Sequence, residues 1–526
     1  MFYKFSLLAL ILSVSHVQSD EKREGQGPSH LKIKSLYNGL NPTSIPEHLA
    51  FYELYKQYPQ GKIALCDAYK LLMKTSCEPL PSQETLLPLL ENNRFLLSIN
   101  SLIGLIVEGR QGDGPNLSEE DLLLISSLAK ELPNRERKGH YVVSEKEMLN
   151  LPPSEIDLAR GLLLSQLQGE KTALSKIKHY EAILDLMALQ ILTQVSLKDS
   201  AEKKIAAINH FIFVEMGFRF PPHSSYSKEI DLYTFLPSVI DSRRGVCLGV
   251  SILYLCLAER LALNLEVIIP PGHIFVRYAD KDKHINIETT ARGVHFDDDK
   301  YLGIDLKSLP QCNVKETIGM AHFNQASVYW KLEQYDKVIT SYQRAKPYLG
   351  NDPLMSTLLG FALVLNDDEI EGKKLLEEIV HKKSPHAVSK DTMAEDYLNG
   401  DIDSVGIKNY FLHVDETRES LLQKKVALEK SLQKYPRYRE GLFSLAATWL
   451  QLQRNKEALY ILNDYHAIDQ TNPTVEYYLA ALYQERLDYN KAWEHLQLAE
   501  KITKEQNHFP KALKELRQEL IQHCPE

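Results

Sequence analysis

Several features that would place this 526-residue chain in a function class are missing from it. The sequence has no phosphate-binding glycine loop and no dinucleotide-binding fingerprint, so nothing in it points to a nucleotide enzyme. It also lacks CxxC pairs and the His/Cys spacing typical of metal sites, and we therefore expect neither a cofactor nor a bound metal. The formal net charge of −9 is mild for this length and argues against a nucleic-acid binder, which would normally show a basic face.

Cysteine is scarce as well. The six cysteines are too few and too scattered for a disulfide framework: Cys66, Cys77, Cys247, Cys256, Cys312 and Cys524. Cys66 and Cys77 are close enough in sequence to form a disulfide, but two buried free thiols explain them equally well. Cys256 lies on an apolar segment, where a cysteine is usually a packing residue, and we expect it to be buried.

Long apolar runs are rare, and the one at the N-terminus is typical of a signal peptide. Lys4 supplies a positive charge, and residues 5–14 form an apolar stretch too short to span a bilayer. Ser19 is a small residue at the expected cleavage position. We predict a signal peptide at 1–19, export to the periplasm or the exterior, and no transmembrane segment after its removal. An N-terminal anchor or a buried helix is the alternative.

The rest of the chain changes its hydrophobic periodicity twice. Helical spacing dominates both flanks, and strand-like runs at 265–269, 274–278 and 285–288 occur only in the middle. We therefore expect a mainly α protein with one α+β domain. The predicted divisions are a helical N-terminal domain at 30–195, a core at 200–310, helical repeats at 316–383, a degenerate connection at 384–415 and further repeats at 416–526.

The C-terminal part repeats with a period of 34 residues. Ala446, Trp449, Ala458 and Leu462 are each followed 34 residues later by a residue of similar character: Ala480, Tyr483, Ala492 and Leu496. Small residues at such positions let paired helices approach closely, which is typical of a tetratricopeptide-type α-solenoid. Because such arrays usually bind other proteins, the predicted partner is a protein or peptide held by the repeats.

One segment of the core has the features of a nucleophile site. Gly245 allows a tight turn two residues before Cys247, and the apolar residues after Cys247 have helical spacing. Cys247 is therefore predicted at a helix N-terminus, where unpaired N–H groups and the helix dipole stabilise a thiolate. Arg243 and Arg244 favour the thiolate too, unless they simply pair with nearby acidic residues.

A thiolate needs a base, and the base needs an orienting group. His273 precedes the second strand-like run, and Glu288 ends the third one. An antiparallel hairpin turning near residues 280–282 would bring both side chains within hydrogen-bond reach. We predict Cys247 as the nucleophile, His273 as the general base and acid, and Glu288 as the group that fixes the imidazole tautomer.

Three segments together resemble the transglutaminase-like core family of the papain-like thiol superfamily: RRGVCLGVS at 243–251, PGHIFVR at 271–277 and NIETT at 286–290. The resemblance covers about 200–305, and it implies that Cys247, His273 and Glu288 are the members of a Cys–His–acid triad. Family members more commonly have Asp at the third position, and many have lost the Cys, which is present here. Helical segments before the core and tetratricopeptide-like repeats after it are a familiar arrangement in this subfamily.

Neighbouring polar residues have simpler explanations. His284 and His295 are expected at the surface, and the acidic run 297–299 lacks the alternating spacing of a calcium loop and is expected to be solvated. The backbone N–H of Cys247 is one predicted oxyanion donor. The candidates for the second donor are Tyr233, Asn209 and Tyr226.

Two interpretations follow. In the first, the chain is an exported cysteine peptidase, amidase or transamidase that acts on an amide bond of a protein or peptide, with the repeats binding the substrate or a partner. In the second, the core keeps the fold without turnover, and the chain is a scaffold for protein–protein interaction. The reactivity of Cys247 separates the two, because only the first requires it.

Overall fold

The structure is a computed structural model and describes residues 28–73, 117–221, 233–281, 283–415 and 417–524. The predicted signal peptide, Cys77 and Tyr226 lie outside the described residues. The chain divides into two compact units, of which the first holds residues 1–73 and 78–96 and the second holds the remainder. In the described part of the chain, no helix is long and apolar enough to cross a membrane.

Three helices make up the described part of the first unit: α1 (His30–Asn38), α2 (Ile45–Tyr55) and α3 (Pro59–Leu72). The hydroxyl groups of Ser29 and Ser44 accept hydrogen bonds from N–H groups in the first turns of α1 and α2, so both helices begin after a capping residue. A small apolar core contains one buried side chain from each of the three helices: Ile33, Phe51 and Ala64. This part of the chain is helical, as its periodicity predicts.

The described part of the second unit begins with seven α-helices: α4 (Glu119–Leu128), α5 (Glu145–Leu149), α6 (Leu158–Gln166), α7 (Ala173–Leu192), α8 (Ala201–His210), α9 (Leu236–Ser242) and α10 (Cys247–Arg260). Short 3-10 turns occur at Pro133–Glu136, Lys138–Tyr141 and Pro153–Glu155, and α8 continues as a π-helical turn at Phe211–Glu215. The sequence pattern predicts a start of α9 at Asp231, which lies outside the described residues. The helix begins at Leu236 because Pro237 lacks an N–H group and is tolerated only in the first turn.

Four antiparallel strands form one sheet in the order β3-β2-β1-β4: β1 (Glu266–Ile268), β2 (Phe275–Asp280), β3 (Lys283–Ile287) and β4 (Gln311–Cys312). β2 and β3 form the predicted hairpin, in which Val276 lies opposite Ile287 and Asp280 lies opposite Lys283. β4 is too short to show a hydrophobic period, and the sequence did not predict it. Since β2 packs against α10, the sheet and this helix set the distance between the candidate histidine and the candidate cysteine.

α10 is the central helix of the core. Twelve of its fourteen residues are buried, and apolar side chains project from it on every side, which is typical of a helix surrounded by other elements. Cys256 is fully buried, as predicted for a packing residue, and burial raises the pKa of its thiol.

Buried charges from the preceding helices hold the C-terminal end of α10. The Arg260 side chain is 0% exposed, and its Nε donates to the Asp185 carboxylate of α7 at 2.8 Å. Arg135 donates to the other oxygen of the same carboxylate. Because a buried charge without its partner is strongly destabilising, α7 and the core depend on each other for stability.

From residue 314 the described chain is helical: α11 (Val314–Lys331), α12 (Tyr335–Leu349), α13 (Pro353–Leu365), α14 (Glu369–Ile379), α15 (Met393–Leu398), α16 (Ser404–Tyr410), α17 (Arg418–Lys434), α18 (Arg439–Gln451), α19 (Asn455–Ile468), α20 (Pro473–Glu485), α21 (Tyr489–Glu505) and α22 (Lys511–His523). The helices pack as the pairs α11/α12, α13/α14, α18/α19 and α20/α21, while α12 also packs on α13 and α19 on α20. Stacked helix pairs of this kind are typical of a solenoid. The predicted fold class, mainly α with one α+β domain, is confirmed.

The 34-residue period is also visible in the backbone. The turn inside each helix pair contains one residue in the left-handed region: Glu333 (φ 54°), Asp367 (φ 64°), Gln453 (φ 59°) and Leu487 (φ 62°). The first two residues are 34 positions apart, and so are the last two. The left-handed conformation costs a non-glycine residue about 1–2 kcal/mol, so helix packing holds each turn in a strained form.

This strain predicts a stabilising substitution. Leu487 is 70% exposed, so Leu487→Gly loses few contacts and should stabilise the repeats by about 1 kcal/mol through relief of the backbone strain. The measurement is thermal unfolding followed by far-UV circular dichroism.

The matched control is Leu422→Gly, at an exposed position inside α17. This change should lower stability by about 0.5–1 kcal/mol, because glycine is unfavourable in a helix interior. Equal destabilisation by both substitutions would show that the turn at Leu487 is unstrained.

Candidate active site

Cys247 is the first residue of α10 and is partly exposed, while most of the helix is buried. Val246 before it has an extended backbone and provides no side-chain cap, so the N–H groups of the first turn remain at the helix end. A Cβ on Gly245 would lie 2.7 Å from Cγ2 of Val250, so the turn requires glycine here. The predicted position of Cys247 at a helix N-terminus after a tight turn is confirmed.

The segment before α9 supports this helix end through its backbone. The Tyr233 carbonyl accepts a hydrogen bond from the Val246 N–H at 3.3 Å. A Cβ on Gly249 would lie 2.1 Å from the same carbonyl oxygen, so only glycine permits this approach. The structure therefore brings Tyr233, one of the candidate oxyanion donors, next to the first turn of α10.

His273 lies between α10 and the hairpin. Gly272 before it has a φ of 72°, which favours glycine, and the His273 N–H closes a turn to the Pro270 carbonyl at 3.0 Å. Nε2 of His273 is 2.6 Å from Oε2 of Glu288. The ring also interacts with the Cys247 side chain, which is one of the causes of the raised pKa of His273, and Nδ1 is the ring nitrogen that does not contact Glu288.

The charge of the His273 ring follows from these contacts. Burial alone would lower its pKa, but the interactions of the ring with Cys247 and with the Glu288 carboxylate outweigh burial. Together they raise the pKa of His273 from 6.5 to about 10. The imidazole therefore carries a proton at neutral pH, between the Cys247 sulfur and the Glu288 carboxylate.

The Glu288 carboxylate is buried and accepts four hydrogen bonds. Oε2 accepts from His273 at 2.6 Å and from the Tyr301 hydroxyl at 3.0 Å. Oε1 accepts from the Thr290 N–H at 3.1 Å and from its hydroxyl at 2.6 Å. Burial raises the pKa of Glu288, but the donors from His273 and Thr290 outweigh it, and the pKa lies below its ordinary value. Glu288 therefore stays ionised and fixed in one orientation.

Tyr301 is a site residue that the sequence analysis missed. Its ring stacks on the His273 ring, with centroids 6.0 Å apart and planes 12° apart, and on Phe275 at 4.3 Å. Burial and the Glu288 charge raise the pKa of Tyr301, so its hydroxyl stays protonated and donates to Glu288. The tyrosine follows the last predicted strand by many residues, and no local pattern marks it.

Thr289 joins the hairpin directly to the nucleophile helix. Its hydroxyl lies 3.4 Å from the Cys247 carbonyl oxygen and 3.0 Å from the Ser251 hydroxyl. Thr289 and Ser251 are both buried. The residue next to Glu288 is thus fixed to the first two turns of α10, which limits movement of the carboxylate relative to Cys247.

The loop that carries Tyr301 is held by the repeat region of the same unit. His508 donates to the Gly303 carbonyl at 2.9 Å. The Val388 N–H donates to the Asp305 carbonyl at 2.7 Å. The connection at 384–415 and the segment between α21 and α22 therefore both hold the loop that packs on the His273 ring.

The remaining sequence candidates contact residues in or near the hairpin β2–β3. Asn209 donates from Nδ2 to the Gly293 carbonyl at 3.3 Å. His284 and His295 are partly exposed, as expected. The expectation of a solvated loop at 297–299 is wrong for Asp298, whose carboxylate accepts from Arg277 of β2 at 2.6 Å.

The arrangement has the parts that acyl transfer requires. It combines a partly exposed cysteine at a helix N-terminus, an imidazole that interacts with its side chain and a carboxylate that orients the imidazole. The N–H of Cys247 has no acceptor within the helix, since it belongs to the first turn. This N–H group is therefore available to donate to the oxyanion that forms on a carbonyl oxygen when the sulfur bonds to the carbonyl carbon.

Comparison with protein families agrees with this geometry. Residues 178–304 match the model of the transglutaminase-like superfamily, so this part of the chain forms a transglutaminase-like domain, as the sequence motifs predict. The match begins inside α7 and includes Cys247, His273, Glu288 and Tyr301. No curated protein matches the sequence.

Some solved helical proteins are weakly similar. A thermophilic TPR protein of Thermus thermophilus is 18% identical and covers 39% of this chain and 97% of its own, with a TM-score of 0.19. Menin, solved in work on its binding site for the Mixed Lineage Leukemia protein, is 13% identical over 65% of this chain and 82% of its own, with a TM-score of 0.33. Yeast Tom70 is 12% identical over 91% and 87%, with a TM-score of 0.16. Since these TM-scores are low, the assignment of the repeats rests on the period and helix pairs of the chain itself.

The raised pKa of His273 predicts its chemical reactivity. Diethyl pyrocarbonate modifies the unprotonated imidazole, so a histidine with an ordinary pKa of about 6.5 reacts readily at pH 8. His273 exposes 29% of its side chain but should resist modification until the pH approaches its raised pKa of about 10. Modification is followed by peptide mass spectrometry, with the exposed His381 as reference in the same digest.

Glu288→Gln is the matched variant, since it keeps the shape of the side chain and removes its charge. It should make His273 reactive at a lower pH, because the carboxylate charge is one of the causes of the raised pKa. Ready modification of His273 at pH 7 in the wild type would contradict the charged imidazole.

Proposed function

We propose that this chain is an exported thiol enzyme that hydrolyses or transfers an amide bond of a protein or peptide. The observation that carries the proposal is the grouping of Cys247, His273 and Glu288, in which one imidazole interacts with the Cys247 side chain and hydrogen-bonds a buried carboxylate. The transglutaminase-like domain at 178–304 supports it. A cysteine activated by an oriented histidine is suited to forming a covalent acyl intermediate.

The proposed reaction has two steps. The Cys247 sulfur attacks the amide carbon as a thiolate, the C–N bond breaks, and the His273 imidazolium gives its proton to the leaving amine, which leaves a thioester. His273 then takes a proton from water or from a second amine, whose oxygen or nitrogen displaces the sulfur. Hydrolysis yields a carboxylic acid, and transfer yields a new amide. Glu288 accepts the hydrogen bond from Nε2 of the imidazole. Nδ1 is therefore the nitrogen that gives and takes the proton in both steps.

Export is a part of the proposal that rests on the N-terminal sequence. Lys4, the apolar residues 5–14 and Ser19 have the order of a secretory signal peptide. The role of the helical repeats is to bind the substrate or a partner protein. Helix pairs stacked in this way form extended surfaces that commonly bind polypeptides.

The alternative proposal is a non-catalytic scaffold for protein–protein interaction. Four stacked helix pairs favour it, because such repeats bind partners without any chemistry. A scaffold would bind peptides equally well with and without the Cys247 thiol. An enzyme would lose turnover when the thiol is removed.

A peptide library tests the enzymatic proposal. Full-length wild type and Cys247→Ala are incubated with a mixture of unmodified peptides and a biotinylated primary amine, and products are read by mass spectrometry. We expect products that depend on Cys247: new peptide termini, side-chain amides converted to acids, or amides carrying the biotinylated amine. Glu288→Gln should slow product formation at least about 10-fold, because the imidazole loses its orienting charge.

Both variants must give the circular dichroism spectrum of the wild type, so that a loss of product reflects chemistry and not unfolding. Absence of all three product classes with folded wild type would contradict the enzymatic proposal. If the same library is nevertheless retained equally by wild type and Cys247→Ala, the scaffold proposal is supported.

A further inference from the structure

Three titratable side chains with no part in the proposed chemistry meet inside the last two helix pairs. His466 of α19 and His495 of α21 each place Nδ1 2.7 Å from a different oxygen of Glu476, which lies on α20. One ligand atom from each residue lies within 4.8 Å of the other two. These three residues are called the His–Glu–His cluster below.

Burial makes the charge of this cluster costly. The Glu476 side chain is 0% exposed, and each of its oxygens contacts an imidazole nitrogen. An ionised carboxylate in such surroundings is strongly destabilising unless a positive charge compensates it. A cation held between the three side chains would supply that charge.

The preceding repeat shows what these positions hold when no polar cluster is present. Leu442 is the residue 34 positions before Glu476, and Ile461 is the residue 34 positions before His495. Both are apolar side chains in the same hydrophobic core. Apolar residues therefore satisfy the packing of this repeat, and packing alone does not explain a carboxylate and an imidazole in their place.

We propose that the His–Glu–His cluster binds one zinc ion. Imidazole nitrogen and carboxylate oxygen are zinc ligands, and two histidines with one glutamate leave a fourth position open. His466 exposes 23% of its side chain, so water or a small ligand can reach that position. This proposal departs from the expectation, drawn from sequence spacing, that the chain holds no metal.

The geometry requires a small adjustment. Zinc–ligand distances of about 2.0–2.2 Å place tetrahedral ligand atoms about 3.4 Å apart. Each nitrogen–oxygen contact of 2.7 Å must therefore lengthen slightly, which side-chain rotation can achieve. Zinc takes the place of a hydrogen on each Nδ1 atom, and each neutral ring then carries its single proton on Nε2, as zinc-bound histidines do.

Aromatic packing limits the movement of one ligand. The His495 ring stacks on Tyr483 with centroids 5.4 Å apart and planes 4° apart. The three ligands come from three successive helices, so one ion would join both of the last helix pairs. Zinc should accordingly raise the unfolding temperature of the protein.

Competition against a chromophoric zinc chelator tests the proposal. Zinc is titrated into the full chain carrying Cys247→Ser, so that this thiol does not compete for the metal. We expect one tightly bound zinc ion per chain and an increase in unfolding temperature. His495→Ala and Glu476→Gln should each weaken zinc binding more than about 100-fold, which exceeds the usual effect of losing an outer-shell partner.

Two further variants keep the test decisive. Glu476→Leu introduces the residue type of the preceding repeat at this position, so it should fold normally and still lose the zinc. His381→Ala removes an exposed histidine outside the cluster and should leave binding unchanged. The proposal is overturned if the wild-type cluster does not compete with the chelator, or if zinc binds equally to the Glu476→Leu variant.

Discussion

The site depends on the position of one buried helix, α10. Cys247 stands at its N-terminus, and Arg260 is fully buried at its C-terminus against the Asp185 carboxylate. The ion pair and the apolar sides of the helix fix its placement, because moving it would separate a buried charge from its partner. The hairpin β2–β3 then approaches the other end through Thr289, which contacts the Cys247 carbonyl. The position of the thiol relative to the imidazole is thus set by packing far from the reactive atoms.

The Glu288 carboxylate explains how a glutamate can stand where the resembled family more commonly has an aspartate. The longer side chain has more freedom, but hydrogen bonds from His273, Tyr301 and Thr290 occupy both oxygens and remove that freedom. The lowered pKa of Glu288 and the raised pKa of His273 leave both groups charged across the neutral range. Since the loop of Tyr301 is fixed in turn by His508, a change in the repeats has a physical route to the imidazole.

The sequence was sufficient to predict those parts of the fold and the site in which the reactive residue lies within a local structural pattern. Gly245 before Cys247 predicted the turn and the helix start, and the alternation around residues 274–287 predicted the hairpin that pairs His273 with Glu288. The 34-residue period predicted the helix pairs. Tyr301 could not be predicted, because its role arises from long-range packing. The cluster around Glu476 was missed for the same reason, since its ligands lie on three helices without a metal-binding spacing.

The proposed chemistry depends on the pairing of Cys247 with His273, and the pH dependence of Cys247 alkylation tests this pairing most directly. Iodoacetamide is applied to wild type and to His273→Ala, and labelling of Cys247 is measured by peptide mass spectrometry. A thiol stabilised as thiolate beside an imidazolium reacts well below the pH at which free cysteine, with a pKa of about 8.5, becomes reactive. We predict such reactivity in the wild type and its loss in His273→Ala. Identical profiles in both proteins, with the midpoint of free cysteine, would contradict the central claim.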